Sequence, residues 1–197
     1  LSIMGAVSPP GGDLSDPVVQ ATLMVTKVLW GLDNKLANAR HFPAINWLLS
    51  YSLYHDNLEE YITNNISLEF NQLKKDAMRL LEEEASLLEI ARLVGIESLS
   101  FEDRLVLEVA KSIREDFLHQ NAFHEIDTYT SLNKQFRMLK IIMQYYFLSK
   151  EELKEGEDFE KIISLPVRQK ISRLKYIEED NLKEFDRIEE ELEKSYV

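Results

Sequence analysis

The residues with the clearest capacity for chemistry form a short aromatic turn, Arg40-His41-Phe42-Pro43-Ala44-Ile45-Asn46, running on into Trp47. Pro43 fixes its own φ, lacks an N–H and pushes Phe42 towards an extended backbone. A ring on so rigid a turn is a flat platform. It is also what a core aromatic at a bend looks like, the commoner role of Phe. The other reactive types offer less. The histidines His41, His55, His119 and His124 have no metal-ligand spacing, because His119 and His124 are five apart and not one helical turn. Without cysteine there is no disulfide, thiolate nucleophile or thiolate metal site. No metal site is therefore expected. Asp13 and Asp16 fit turn and helix-cap roles. Gly11-Gly12 allows a close backbone approach to a ligand, or a plain turn, but no GxxxxGK[ST] phosphate loop occurs.

The elements that must position this turn change character along the chain. Leu1 to Val7 reads as a buried strand, and Ser8-Pro9-Pro10-Gly11-Gly12-Asp13 as a loop. Ser15-Asp16-Pro17 opens a helix with a capping side chain and a first-turn proline. Val25 to Leu32 is β-prone, and Asp33 caps a short helix ending near Arg40. This is half of an α/β layer, too small to close a core alone. Asn57 to Asn65 reads as a polar connection. From Ser67 the apolar period becomes helical, with Leu73, Ala77, Leu80, Leu81, Leu87, Leu88, Ala91 and Val94 on one face and Gly95 as the stop. Ser100, paired with Asp103, caps a second helix running to about Leu118. A break at Gln120 to Phe123 precedes a third helix through Leu132, Phe136, Leu139, Met143 and Tyr146. Glu151 to Asp158 reads as an acidic linker. A last helix is expected over Val167 to about Ser195.

The 197 residues suffice for one large domain or two small ones, and 45% hydrophobic content is ordinary for a globular protein. The net charge of −12, with no basic run longer than two residues, argues against a nucleic-acid partner. No apolar run is long enough to span a bilayer, and Leu1 to Val7 lacks the basic residues of a signal peptide. The chain enters an apolar strand-like run directly at Leu1, which suggests a piece of something longer.

The run Ser8-Pro9-Pro10-Gly11-Gly12-Asp13-Leu14-Ser15-Asp16-Pro17, then Arg40 to Trp47, then Ser50-Tyr51-Ser52, closely resembles the catalytic A subunit of A-type and V-type rotary ATPases. The likeness continues downstream. Gly95-Ile96-Glu97-Ser98-Leu99-Ser100-Phe101-Glu102-Asp103-Arg104-Leu105 stands in the place of the DELSEED loop of the related F-type β subunit. Phe117-Leu118-His119-Gln120-Asn121-Ala122-Phe123 resembles the family's FLxQNAF stretch. The resemblance covers essentially the whole chain. It implies an α+β fragment: the C-terminal end of a P-loop-type α/β nucleotide-binding domain, residues 1–66, followed by a mainly α-helical C-terminal bundle, residues 67–197.

The resemblance also implies a function. The full subunit would bind ATP or ADP with Mg²⁺ and alternate with non-catalytic B subunits in a hexamer around the central stalk. A peripheral stalk would hold the ring. The ring would lie on the cytoplasmic side of the membrane, reaching it only through the ion-translocating sector. In the family the phosphate loop, catalytic glutamate and Mg²⁺ region lie upstream, and the arginine finger comes from a neighbouring subunit. No catalytic residue is therefore expected in this chain, which should not hydrolyse ATP or hold it tightly alone. By resemblance Phe42 stacks on adenine, Ala122 and Phe123 form the opposite wall, and Tyr129 is a third member. Hinge motion of the helical domain against the Phe42 turn would open and close the pocket. Glu97, Ser98, Leu99, Ser100, Phe101, Glu102 and Asp103 would face the rotor. Ser98 and Phe101 replace acids there, which favours steric pushing over ion pairing. A solvated capping turn is the plainer reading of the same residues. An alternative to the whole scheme is a non-catalytic helical module binding a basic partner helix; the paralogous B subunit fits the Phe42 and Gln120 to Phe123 stretches less well.

Overall fold

The computed structural model describes residues 1–13 and 15–196, apart from the side chain of Pro10. Leu14, inside the Ser8 to Pro17 run, and Val197 lie outside the described residues. Helix α1, Pro17–Val25, starts as the sequence predicts: the Asp16 carboxylate accepts from the Val18 and Val19 amides, and Pro17 occupies the first turn. The Asp13 carboxylate accepts from the Ser15 amide, a turn role. Strand β1, Val28–Leu29, pairs antiparallel with β2, Tyr51–Ser52, placing Val28 opposite Ser52 and Leu29 opposite Tyr51. Between them the Asp33 carboxylate caps α2, Asn34–Asn38, and a lone bridge joins Leu32 to Ile45.

Two expectations for this region fail. Leu1 to Val7 is exposed and irregular, not a buried strand. A strand needs a neighbour to take its amides and carbonyls, and no described segment pairs with it. The Val25 to Leu32 strand shrinks to two residues because α1 runs through Val25.

The polar stretch Asn57 to Asn65 is also not a simple connection. It belongs to helix α3, His55–Asn65, which is anchored by buried Ile62. Ile66, four residues on, packs against the same core, so a narrow apolar edge suffices. Helix α4, Phe70–Val94, buries Ala77, Leu80, Leu81, Leu87 and Ala91 and stops at Gly95, whose φ of +87° suits glycine. Helix α5, Phe101–Ser112, is capped by Ser100 as expected and runs into a π-helical turn, Ile113–Leu118. Helix α6, Leu132–Glu155, continues through most of the expected acidic linker before Gly156, in the left-handed region, ends it.

A short helix α7, Phe159–Ile163, follows the acidic stretch, and the long last helix expected from Val167 is broken into α8, Val167–Ile171, a 3-10 turn at Leu174–Tyr176, and α9, Lys183–Lys194. The fold-back returns Phe185, Ile188 and Leu192 to the shared core, where α4, α5, α6 and α9 meet. Arg137 and Lys140 of α6 then pair with Glu189 of α9. One straight helix would have carried these residues away from α6, at 1.5 Å per residue.

Candidate functional site

The Phe42 turn is held from both sides. On the N-terminal side the His41 amide donates to Leu36 O (2.9 Å) and the Asp33 amide to Ala44 O (3.0 Å). The Asn46 side-chain amide donates to the Asp33 carboxylate at 2.8 Å. That bond, with the Lys35 amide behind it, holds the Asp33 carboxyl below its ordinary range. Arg40 takes a positive φ of 58°, and the Phe42–Pro43 peptide is cis. The turn buries His41 at 6% exposure and leaves Phe42 at 50%.

On the other side the turn meets the helical bundle. The Gln120 amide donates to Phe42 O at 2.7 Å. His41 Nε2 lies 2.9 Å from Arg114 O, and its ring packs between Trp47 and His119, with centroids at 5.7 and 5.0 Å. The loop beyond Leu118 is pinned at its base. Its Asn121 amide donates to the buried Asp127 carboxylate at 2.6 Å. Lys175 Nζ donates to Glu115 O (2.9 Å) and His119 O (3.1 Å). The fully buried Lys134 reaches Lys175 O at 2.9 Å, and burial pulls its ammonium pKa down. Burial, then the charges of Lys175 and His41, also lowers the His119 pKa. Ala122 and Phe123 form the tip of this braced loop; Phe123 is 99% exposed.

The candidate residues are thus brought near one another unevenly. The backbone bond from Gln120 joins the Phe42 turn to the loop carrying Ala122 and Phe123. Among the described residues the rings of Phe42 and Phe123 are not stacked on one another. Tyr129, 67% exposed, borders a cleft of about 400 Å³ with Pro43, Phe117, Leu118, Gln120 and Met138. That cleft lies between the turn and the helical bundle and mixes apolar walls with amide and hydroxyl groups, a lining suited to a flat, partly polar ring.

The acidic turn is occupied internally at Asp103. Ser100 Oγ donates to the Asp103 carboxylate at 2.7 Å and accepts the Asp103 amide at 3.1 Å. Arg104 lies 3.9 Å from Glu97 and 3.3 Å from Glu160, with its guanidinium 4.4 Å over the Phe159 ring. Phe101 stacks on Phe159 at 5.5 Å. The turn presents a mixed surface outward: Leu93, Val94, Ile96 and Phe101 are exposed, and so are Glu97, Ser98 and Glu102.

Sequence reasoning missed the polar joint beneath the turn. In the sequence His41 and His119 carry no signal beyond the lack of metal-ligand spacing. Glu84, in the acidic run Glu82-Glu83-Glu84 of α4, is 5% exposed and holds Arg114. One signal was available: position 84 falls three residues after Leu81 and three before Leu87, on the buried stripe.

Comparison with known proteins fits this architecture. The family described as the C-terminal domain of V and A type ATP synthase matches residues 59–163. The nucleotide-binding domain of the ATP synthase alpha/beta family matches residues 1–52. The chain is 63% identical over 195 residues to the V-type ATP synthase alpha chain of Thermoanaerobacter pseudethanolicus, covering 99% of this chain and 33% of that one. It is 60% identical over 193 residues to the corresponding chain of Acetivibrio thermocellus, covering 98% and 33%. It therefore spans about a third of the length of these relatives. Among solved structures, an ATP synthase subunit, NeqB, from Nanoarcheaum equitans shares the fold, with a TM-score of 0.58, 24% identity and coverage of 70% of this chain and 32% of that one. With a short end of a nucleotide-binding domain leading into a helical domain that matches over more than half the chain, this chain belongs to the V- and A-type ATP synthase family.

Proposed function

We propose that this chain is the C-terminal part of the catalytic subunit of an A/V-type rotary ATPase, supplying the adenine side of the nucleotide site and the rotor-facing helical domain. Residues 1–66 then close the nucleotide-binding domain and residues 67–197 form the helical domain. The observation that carries the reading is the bond from the Gln120 amide to Phe42 O, which ties the aromatic turn to the loop bearing Ala122 and Phe123. Phe42 and Phe123 offer π-faces to adenine, Ala122 gives the tip of the loop a flat wall, and Tyr129 borders the adjoining cleft. Such walls grip any purine and read its hydrogen-bonding edge poorly. Phe123, free at the loop tip, has room to close on a base when the helical domain swings against the turn.

The residues present do not fit a Mg²⁺ site: among the described residues no cluster of His, Cys, Asp or Glu is arranged to hold a metal. In the full subunit ATP or ADP and its Mg²⁺ would be held on the phosphate side by residues outside this sequence. The partners follow: B subunits alternating in a hexamer, central-stalk subunits at the Glu97 to Asp103 turn, and a peripheral stalk. The ring would sit on the cytoplasmic side, reaching the membrane only through the ion-translocating sector. No described helix is long and apolar enough to cross a membrane.

Base stacking on an aromatic is worth about 1–3 kcal/mol. In the assembled complex Phe42→Ala or Phe123→Ala should raise KM for ATP about tenfold, read by steady-state phosphate release. An unchanged KM in both variants would remove the adenine assignment. In the same assay the 197-residue chain alone should release no phosphate, and phosphate release by it would contradict the placing of the phosphate machinery elsewhere.

A further inference from the structure

We propose that Glu84, Arg114 and His41 form a positioning relay between the Phe42 turn and helix α4; the relay rests on the functional reading above. Arg114 holds Glu84 with three contacts, Nε to both carboxylate oxygens (3.1 and 3.0 Å) and Nη2 to Oε1 (2.9 Å). A planar guanidinium bonded to both oxygens fixes orientation as well as distance. The Glu84 side chain is 6% exposed and that of Arg114 26%. A buried ion pair is a weak source of stability compared with apolar packing, and its distinctive property is direction.

The main chain of Arg114 completes the connection. Its carbonyl accepts from the His119 amide and faces His41 Nε2, both at 2.9 Å. A carbonyl only accepts, so Nε2 carries a proton towards it, and Nδ1 is buried without a partner. The next residue, Phe42, accepts from the Gln120 amide. Two consecutive residues of the turn therefore hold the π-helical segment near its start, at Arg114, and the loop just beyond its end, at Gln120. A shift of the turn must carry Arg114 and, through its guanidinium, α4. From Glu84 the helix runs ten residues to Val94, about 15 Å of rigid rod, and ends at the Gly95 to Asp103 turn. Movement at the nucleotide side is thereby delivered to the far end of the α4–α5 hairpin.

The test uses the assembled membrane complex carrying the full-length subunit, with ions transported per ATP hydrolysed as the readout. Glu84→Gln should lower that ratio about threefold or more, with hydrolysis itself kept within about twofold. Arg114→Met should do the same, and the double variant should be no worse than either single, because the pair acts as one link. His41→Phe leaves the ion pair in place and cuts the relay at its first member, so it should show the same loss even where the charge variants assemble poorly. A wild-type ratio in His41→Phe or Glu84→Gln, additive losses in the double variant, or equal loss of hydrolysis and transport would each overturn the relay. Replacing residues 96–101 with a Gly/Ser turn separates the two layers. Uncoupling there with a wild-type ratio in Glu84→Gln sinks the relay alone; full coupling there sinks the rotor-facing reading and the relay with it.

Discussion

Phe42 and His41 are neighbours with opposite fates. One is half exposed and the other buried against the helical bundle, so consecutive residues of a single turn face solvent and the joint. His119 makes that joint sensitive to acid. Its folded pKa is lowered, first by burial and then by Lys175 and His41, whereas the unfolded chain titrates near 6.5. The unfolded state therefore binds more protons between the unfolded and the folded values. The stability contribution is complete above about pH 6.5 and drains away as pH falls towards the folded value. Asp116 acts in the opposite sense at lower pH, because burial raises its carboxyl. The urea midpoint of the chain should fall further between about pH 7.5 and 5.5 for the native sequence than for His119→Asn. Equal falls would show that His119 is not the titrating group.

At the level of elements, local signals set the boundaries that were read correctly. Asp16, Ser100 and Asp33 cap their helices through hydrogen bonds within three residues, and such bonds need no distant partner. Gly156 ends α6 at φ +94° with open space where a Cβ would stand. Gly156→Ala should therefore cost about 1 kcal/mol from backbone strain alone, measured by urea denaturation, while a null or stabilising effect would mean the left-handed cap is not held in solution. The misread elements depend on distant contacts. The break between α8 and α9 follows from the fold-back that seats Phe185 on α6 and draws Lys175 under the 119–131 loop.

For the whole molecule, the acids of the α4–α5 turn differ in their engagement: Asp103 is bonded to Ser100, while Glu97 and Glu102 are exposed. The Asp103 carboxylate accepts from Ser100, the cap of α5, and Glu97 lies 3.9 Å from Arg104, while Leu93, Val94, Ile96 and Phe101 stand exposed beside them. Exposed ion pairs contribute little in water, so under the rotor-facing role proposed above the hairpin would push as a body. In the assembled complex, neutralising Glu97, Glu102 and Asp103 together should leave torque largely intact in single-molecule rotation, at some expense in stability from the weakened Ser100–Asp103 side-chain bond. A large torque loss would restore ion pairing as the coupling force.

The sequence by itself determined the helical bundle from Ser67 onward, the caps and glycine stops, and the residues Phe42, Ala122, Phe123 and Tyr129 as a candidate set. It did so because apolar period and capping chemistry are local, and because long ordered motifs carry a family likeness that composition does not. Tertiary structure alone decided that Leu1 to Val7 is not a strand, since pairing requires an edge that no described segment offers it. It alone turned Glu84 inward, joined Gln120 to Phe42 and set His41 against Arg114, 73 positions away in the chain. Those contacts link residues whose separation along the chain carries no period, so only the packing of the turn onto the π-helical segment could make them.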